Sequence, residues 1–286
     1  MALVHQRGWD SGIFATSPWF AVLADVSCAF LAHDTFPTLD ELNVLLAPRQ
    51  LAEGLPSLRA VFSPPKTTHR KKRKVAIDPA SLYDVRIAQH GELPTRADDW
   101  HDFFNVLAFA AWPRSKWALH TRQSRLLRGR IAADARRLPG ARTREQDALT
   151  LLDEGGVIVA CEANAYAALR PCIAARDPDF AAVVARSVAK GETQLVPFGH
   201  ALFEHLAAGL PCPLAIAQLV PISRAPTEHE ITADRSLRAA WLDALDRALC
   251  EQLSDPAQFL MPSGVKGLVL DDYPAPFAQG QKLVPR

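Results

Sequence analysis

The amino-acid sequence predicts a mainly helical α+β domain with a small mixed or antiparallel sheet. Patterns typical of helices outnumber those of short strands, with roughly eight helices against four or five strands. The two kinds of element do not alternate one for one, which disfavours a doubly wound sheet. With 286 residues, 49% of them hydrophobic, the chain is long enough to bury the core of one domain. We therefore predict a single globular domain over residues 1–258 and a proline- and glycine-rich C-terminal tail over 259–286.

Two capping patterns set the helix boundaries in the first 50 residues. Ser17 is a cap residue followed by Pro18, and this pair predicts a helix that runs to about Leu31. The stretch TLDE at 38–41 is a capping box and predicts a second helix, which we expect to end near Leu46.

A strand and a basic loop are predicted next. LRAVF at 58–62 is typical of a strand, as are VAID at 75–78 and LYDVRIA at 82–88, which are rich in β-branched residues. Between them, SPPKTTHRKKRK at 63–74 contains two prolines and a basic block. This composition is typical of a loop or a mobile hairpin tip.

Helical patterns dominate the rest of the chain. Asp98 or Asp99 caps a helix that Pro113 ends, and a second helix is expected from Ser115 to about Leu138. The remaining predicted elements are, in chain order, the helix RTREQDALTLLDE before Gly155-Gly156, the strand VIVAC, the helices DPDFAAVVARSVAK and PFGHALFEHLAAG, the strand LAIAQLVPI and the amphipathic helix SLRAAWLDALDRALCEQL.

Charge and composition exclude some classes of partner and suggest a compartment. Lys and Arg number 32 against 31 Asp and Glu, so no global attraction to nucleic acid or to a membrane surface is expected. We see no stretch apolar enough for a membrane span and no signal-peptide pattern. The five cysteines are scattered and form no CxxC pair, which favours a reduced, cytoplasmic protein.

The stretch DWHDFFNVLAFAAWPRSKWALH at 99–120 gathers polar residues at the start of an apolar helix. His101 and Asn105 are four apart and share a face, with Asp102 beside it. We take these three as candidate catalytic residues and His101 also as a candidate metal ligand. The alternative is that the aspartates only cap the helix and that His101 is a partly buried structural side chain.

Two further stretches contain candidate site residues, the first carboxylates alone and the second a carboxylate with a histidine. In RTREQDALTLLDEGG at 142–156, Asp147 and Glu154 are candidate catalytic residues and Asp153 is a candidate metal ligand. Adjacent acids at a helix C-terminus oppose the helix dipole, which indicates a function unless nearby arginines simply pair with them. In PFGHALFEHL, His200 and Glu204 stand four apart and are candidate ligands of a divalent metal; the alternative is a helix-start histidine bonded to a neighbour.

Arginines crowd the segment from 116 to 144. Arg122, Arg142 and Arg144 are candidate substrate-binding residues because guanidinium forks suit phosphate or carboxylate. With the basic block at 69–74, this segment is either a surface that binds phosphate or nucleic acid, or a solvated helix face. The sequence contains no GxSxG, P-loop or GxGxxG pattern that would indicate another chemistry.

Three blocks in this order, WHDFFNVLAFAAWPRSKWALH, RTREQDALTLLDEGG and FGHALFEHL, resemble the uncharacterised proteobacterial domain-of-unknown-function family 3025. The likeness covers about residues 15–225. The resemblance implies a bacterial origin and a single intact domain, and it supplies no reaction. A looser similarity is to phosphohydrolases of the HD class, although those domains are all-helical. The corresponding positions would be the pair His101-Asp102, with His69 or His90 before it and Asp147 or Asp153 after it.

Two hypotheses about function result. The first is a metal-dependent or acid–base hydrolase that acts on a phosphate-bearing substrate, with a divalent metal as its expected cofactor. The second is a non-catalytic protein that binds nucleic acid or an acidic partner through its basic segments. The first hypothesis requires three stretches that are far apart in the chain to meet in one cleft.

Overall fold

A computed structural model describes residues 8–48, 57–64, 76–132, 134–136, 138–211, 214–234, 236–259 and 267–277. The predicted basic block from His69 to Lys74, with the candidate ligand His69, lies outside these ranges. All statements below concern the described residues.

Helices make up most of the described chain. The α-helices are α1 (Ala24–Ser27), α2 (Leu39–Leu46), α3 (Tyr83–His90), α4 (Trp100–Ala111), α5 (Pro113–Arg128), α6 (Arg144–Gly155), α7 (Ala163–Ala175), α8 (Phe180–Ala189), α9 (His200–Ala207), α10 (Glu228–Ala233) and α11 (Ser236–Ser254). Short 3-10 helices cover Ser11–Ala15, Pro18–Leu23, Cys28–Phe30, Pro79–Ser81 and Leu270–Asp272.

Six strands form two small sheets. The strands are β1 (Arg59–Phe62), β2 (Glu92–Thr95), β3 (Gly156–Cys161), β4 (Thr193–Pro197), β5 (Leu214–Pro221) and β6 (Leu268–Val269). Strands β1 and β2 form a parallel pair. The other sheet has the order β4-β3-β5-β6, in which β3 and β5 are parallel and the two outer pairings are antiparallel. The predicted fold class, a mainly helical α+β domain with a small mixed sheet, is therefore confirmed.

The core is built around α4 and β3. In α4 every residue from Phe103 to Ala110 is buried, and in β3 all six residues are. Asp99 caps α4 by accepting a hydrogen bond from the backbone N–H of Asp102, so the polar start of the helix lies at the edge of this core. Pro113 follows Trp112 and begins α5, so one proline ends the first helix and starts the next.

The structure differs from four of the predicted elements. The single helix expected from Ser17 to about Leu31 consists of 3-10 helices at Pro18–Leu23 and Cys28–Phe30 with α1 between them. LYDVRIA, predicted as a strand, lies in α3, which ends at Gly91 in the left-handed conformation and packs on α5. VAID was predicted as a strand, yet its described residues 76–78 form none. The helix predicted to reach Leu138 stops at Arg128, because Gly129 favours a helix end. Tertiary packing outweighed the β-branched composition of LYDVRIA, and a glycine ended the helix that was predicted to continue.

The sequence analysis did not predict α7, α10, β2, β4 or β6. Strand β6 lies within the segment 259–286, predicted as a tail, and pairs with Leu214 and Ala215 of β5. The domain boundary placed at 258 stays a prediction. Over the described residues, no helix combines the length and the apolarity that crossing a bilayer requires.

Candidate metal centre

Three helix ends converge on one set of polar side chains. His101 lies in the first turn of α4, Glu154 in the last turn of α6, and His200 is the first residue of α9. One ligand-type atom from each of these residues lies within 4.8 Å of the other two. This is the convergence that the enzyme hypothesis required.

Two glycines allow the backbone to bring His200 to the end of α6. A Cβ atom on Gly199 would collide with the backbone carbonyl of Glu154 and the backbone nitrogen of Gly156. A Cβ atom on Gly156 would collide with the carbonyl of Leu152. The backbone N–H of Gly199 also donates to the Gly156 carbonyl at 3.0 Å. Glycine at these positions is therefore a consequence of close approach between α6, β3 and the start of α9.

The hydrogen bond of His200 fixes which of its nitrogens carries the proton. Its Nδ1 lies 2.9 Å from the backbone carbonyl oxygen of Asp153, which can only accept. Nδ1 must therefore carry the proton. Burial, together with the positive charge of Lys116, holds the pKa of His200 well below its usual value, so the ring is neutral at pH 7. Its Nε2 consequently presents a lone pair.

His101 presents its own Nε2 to the same point. Its Nδ1 lies 2.9 Å from Oε2 of Glu204, and the two Nε2 atoms of His101 and His200 are 3.1 Å apart. With the Glu204 carboxylate as acceptor, Nδ1 of His101 also carries a proton. In a neutral His101 ring, two nitrogen lone pairs would then face each other, and this arrangement requires a proton or a metal ion between them.

The protonated alternative agrees with the charges around His101. Burial lowers its pKa, but the hydrogen bond to Glu204 and the negative charge of Glu154 outweigh burial and raise it above the usual value. The raised pKa favours a proton in the position between the rings. A metal ion would compete with that proton for the same site.

Glu154 supplies the third group. Its Oε2 lies 3.7 Å from Nε2 of His200, and 42% of its side chain is exposed. Burial and the neighbouring charge of Asp153 raise its pKa. A carboxylate in this position can approach a cation held between the imidazoles without leaving its helix.

Asp153, predicted as a metal ligand, has a different partner. Its Oδ1 forms a close ion pair with Nζ of Lys116, which is completely buried. Nε2 of His120 lies 3.7 Å from the same oxygen. Burial alone would raise the pKa of Asp153, but the charge interactions with Lys116, His120 and His200 outweigh it and hold the pKa well below the usual value. Asp153 is therefore a buried, ionised residue that orients His200 through its backbone.

Glu204, also predicted as a ligand, lies behind His101. It is buried on α9 and contacts Nδ1, the nitrogen of His101 opposite to the one that faces His200. A carboxylate in this place orients a metal-bound histidine and increases its basicity.

The other predicted catalytic residues line the cleft in part. Asp102 accepts bidentate hydrogen bonds from the guanidinium of Arg96, at 2.7 and 2.8 Å. Asn105 donates to the Tyr83 hydroxyl at 2.7 Å. Asp102 and Asn105 line the same cleft as His101, whereas Asp147 is exposed on α6 and does not line it.

The three predicted substrate-binding arginines occupy different environments. Arg122 is buried, pairs with Glu145 at 2.6 Å and donates to the carbonyl of Leu253 at 2.9 Å, and does not line the cleft. Arg142 lines the cleft. Arg144 is exposed and does not line it.

The cleft has a volume of about 570 Å³. Sequence reasoning missed several polar residues at or near its floor: Tyr83, Asp84, Arg96, Lys116, His120 and Gln123. Lys116, His120 and Gln123 recur at three- and four-residue spacing on one face of α5. This helical spacing, which places the three residues on one face, was the signal that could have linked them.

Among known proteins, neither a curated sequence nor a solved structure matches the chain. One family does match, over residues 71–275, and it is described as a protein of unknown function. The matched range contains His101, Glu154 and His200, together with the residues that orient them. Since the match covers most of the 286 residues, the chain belongs to the family of proteins of unknown function designated DUF3025.

Proposed function

We propose that this protein is a metal-dependent hydrolase with one divalent cation, zinc, bound by His101, His200 and Glu154. One observation carries the proposal: the Nε2 atoms of the two histidines face each other at 3.1 Å while each Nδ1 is already hydrogen-bonded. The same separation also fits an N–H···N hydrogen bond from a protonated His101, and a metal ion would displace that proton.

The ligand set and its dimensions suit zinc. Two imidazole nitrogens bound to one tetrahedral zinc ion, each at about 2.0–2.1 Å, lie roughly 3.3 Å apart. The observed separation of 3.1 Å needs little movement to reach this value. Two histidines and one glutamate leave a coordination position open, as catalytic zinc sites do, whereas structural sites use four protein ligands.

The surrounding residues supply the outer contacts that a histidine-bound metal needs. The Asp153 carbonyl orients His200, and the Glu204 carboxylate orients His101. A zinc ion in this place would lower the pKa of bound water to about 7 and polarise a substrate bond. The cleft gives a substrate access to the open position.

Metal binding by the purified protein tests the site. We expect one equivalent of zinc in elemental analysis, and saturable zinc binding by isothermal titration calorimetry after removal of bound metal. His101→Ala and His200→Ala should each weaken zinc binding by more than about 100-fold, since each removes a ligand. His205→Ala is the matched control, because His205 lies on the same helix as His200 but bonds the Pro211 carbonyl at the surface.

Turnover tests the reaction class. We expect the zinc-loaded protein to hydrolyse an activated ester or phosphodiester such as bis(p-nitrophenyl) phosphate. A chelator should abolish this activity, added zinc should restore it, and Glu154→Gln should reduce it. Iron in place of zinc, or zinc binding that is unchanged in both histidine variants, would contradict the proposal.

A further inference from the structure

The cleft extends away from the proposed metal centre along the groove between α5 and α6. The two helices run antiparallel, because Lys116 contacts Asp153 near one end while Gln123 donates to the Gln146 carbonyl and to Thr150 further along. Gln146, Thr150 and Glu154 all line the cleft. Gln146 and Glu154 are eight residues apart on α6, which corresponds to about 12 Å.

Two arginines line this cleft near the start of α6. Arg130 donates to the carbonyl of Ala141 at 2.8 Å and to Oε1 of Gln146 at 2.9 Å. The same Gln146 oxygen accepts from the backbone N–H of Thr143 at 3.0 Å. Arg130 is exposed, and its acceptors among the described residues are both neutral. Arg142 is exposed beside it.

The charges of these two arginines are not neutralised within the described part of the chain. Neither Arg130 nor Arg142 forms an ion pair there, whereas Arg96 pairs with two aspartates. Of the acids at the start of α6, Glu145 is engaged by Arg122, and Asp147 is exposed outside the cleft. The N-terminus of α6 adds partial positive charge at the same end.

We infer that the substrate carries a phosphate group that binds to Arg130 and Arg142, about two helical turns from the bond that is cleaved. The inference rests on the proposed hydrolase function and names its substrate class. A phosphate, with three acceptor oxygens, can engage two guanidinium groups together, whereas one guanidinium fork suffices for a carboxylate. Because Gln146, which accepts a hydrogen bond from Arg130, lies about 12 Å along α6 from Glu154, this phosphate is a recognition group and is not the group that reacts.

Inorganic phosphate is the probe for this subsite. Calorimetric titration into the metal-free full-length protein removes competition from phosphate bound at the metal centre. We expect saturable binding that weakens by about tenfold in Arg142→Ala and in Arg130→Gln, since each loses a charge-assisted contact. Arg144→Ala is the matched control and should bind phosphate like the wild type, because Arg144 is also exposed but does not line the cleft. Thermal unfolding of each variant verifies that it is folded.

Phosphate binding and zinc binding test the anion subsite and the metal centre separately. No phosphate binding, equal weakening in Arg144→Ala, or equally tight binding of acetate would each overturn the phosphate subsite. Zinc titration of the same variants is the second readout, and Arg142→Ala should bind zinc normally. Absent zinc binding with intact phosphate binding would instead refute the metal centre and leave the anion subsite standing.

Discussion

Two buried polar clusters in this protein behave differently. The first, here the cap cluster, consists of Arg114, Ser115 and Asp246 at the start of α5. The Asp246 carboxylate accepts from the backbone N–H groups of Arg114 at 3.1 Å and Ser115 at 2.9 Å, and the Ser115 hydroxyl donates to the Asp246 carbonyl at 2.8 Å. Donors and acceptors are matched, so this cluster closes a helix terminus and joins α5 to α11.

The second cluster, here the metal-end cluster, consists of His101, Lys116, Asp153, Glu154 and His200. It contains a matched ion pair, Lys116 with Asp153, but also two imidazole nitrogens that face each other and can share either a proton or a metal ion. Burial of polar groups alone therefore does not identify a site. A pair of nitrogens next to a cleft does, when the proton that they share can be replaced by a metal ion.

The largest effect is expected from breaking the matched part of the metal-end cluster. Lys116→Met leaves the Asp153 carboxylate buried without its cation, and we expect the free energy of unfolding to fall by about 3–5 kcal/mol at pH 7. Urea denaturation measures this loss. The exposed Lys190→Met is the control and should change stability by less than about 0.5 kcal/mol.

The stability of Lys116→Met should also depend on pH in a way that identifies Asp153 as the cause. In the wild type the low pKa of Asp153 gives stability that is present above the unfolded value of about 3.9 and is lost only as pH falls through the folded value. In Lys116→Met that pKa rises, so the penalty should shrink between pH 7 and pH 5. The double variant Lys116→Met/Asp153→Asn should recover most of the stability; a double variant as unstable as the single one would contradict the ion-pair explanation.

Breaking the cap cluster should cost less and leave metal binding intact. Asp246→Ala leaves two buried backbone N–H groups without an acceptor, and we expect a loss of about 2–3 kcal/mol. Burial raises the pKa of Asp246, so its protonated form stabilises the fold at low pH and that contribution declines as pH rises through the folded pKa. The penalty measured by urea denaturation should therefore be larger at pH 4 than at pH 7. Weakened zinc binding in this variant would show that the two clusters are coupled.

A third variant tests the residue behind His101. Glu204→Gln removes the charge that orients the imidazole, and we expect zinc affinity to fall by about 10- to 100-fold. Calorimetry with zinc measures the change, and His205→Ala on the same helix provides the reference. Unchanged affinity would mean that Glu204 does not orient a metal ligand.

The smallest effect is expected from Asp102, which the sequence analysis took as a candidate catalytic residue. Both of its carboxylate oxygens accept hydrogen bonds from Arg96. Asp102 is therefore fully hydrogen-bonded, as Asp246 in the cap cluster is. Asp102→Asn should lower stability by about 1 kcal/mol and leave zinc affinity within about twofold. A large loss of turnover with normal stability would instead place Asp102 in the reaction.

Local patterns in the sequence determined the helical fold class and several helix boundaries. The capping box at Thr38 and Glu41 and the caps at Ser17 and Asp99 are present, because such signals depend on residues within one turn of each other. Family membership was also evident from three blocks of sequence. The strand and helix assignments failed where packing decides, as in α3 and β4, since short apolar segments suit either state.

Only the tertiary structure decided how the candidate residues divide their roles. From the sequence, His101, Asp153, His200 and Glu204 were predicted as metal ligands and Glu154 as a catalytic residue, with nothing to rank the four predicted ligands. Their division follows from contacts across 37 to 103 residues of chain: Lys116 engages Asp153, Glu204 engages Nδ1 of His101, and the two Nε2 atoms meet. Which nitrogen of an imidazole presents its lone pair depends on the hydrogen bond that the other nitrogen makes. The partner in that bond is distant in the sequence, so a local sequence pattern cannot predict it.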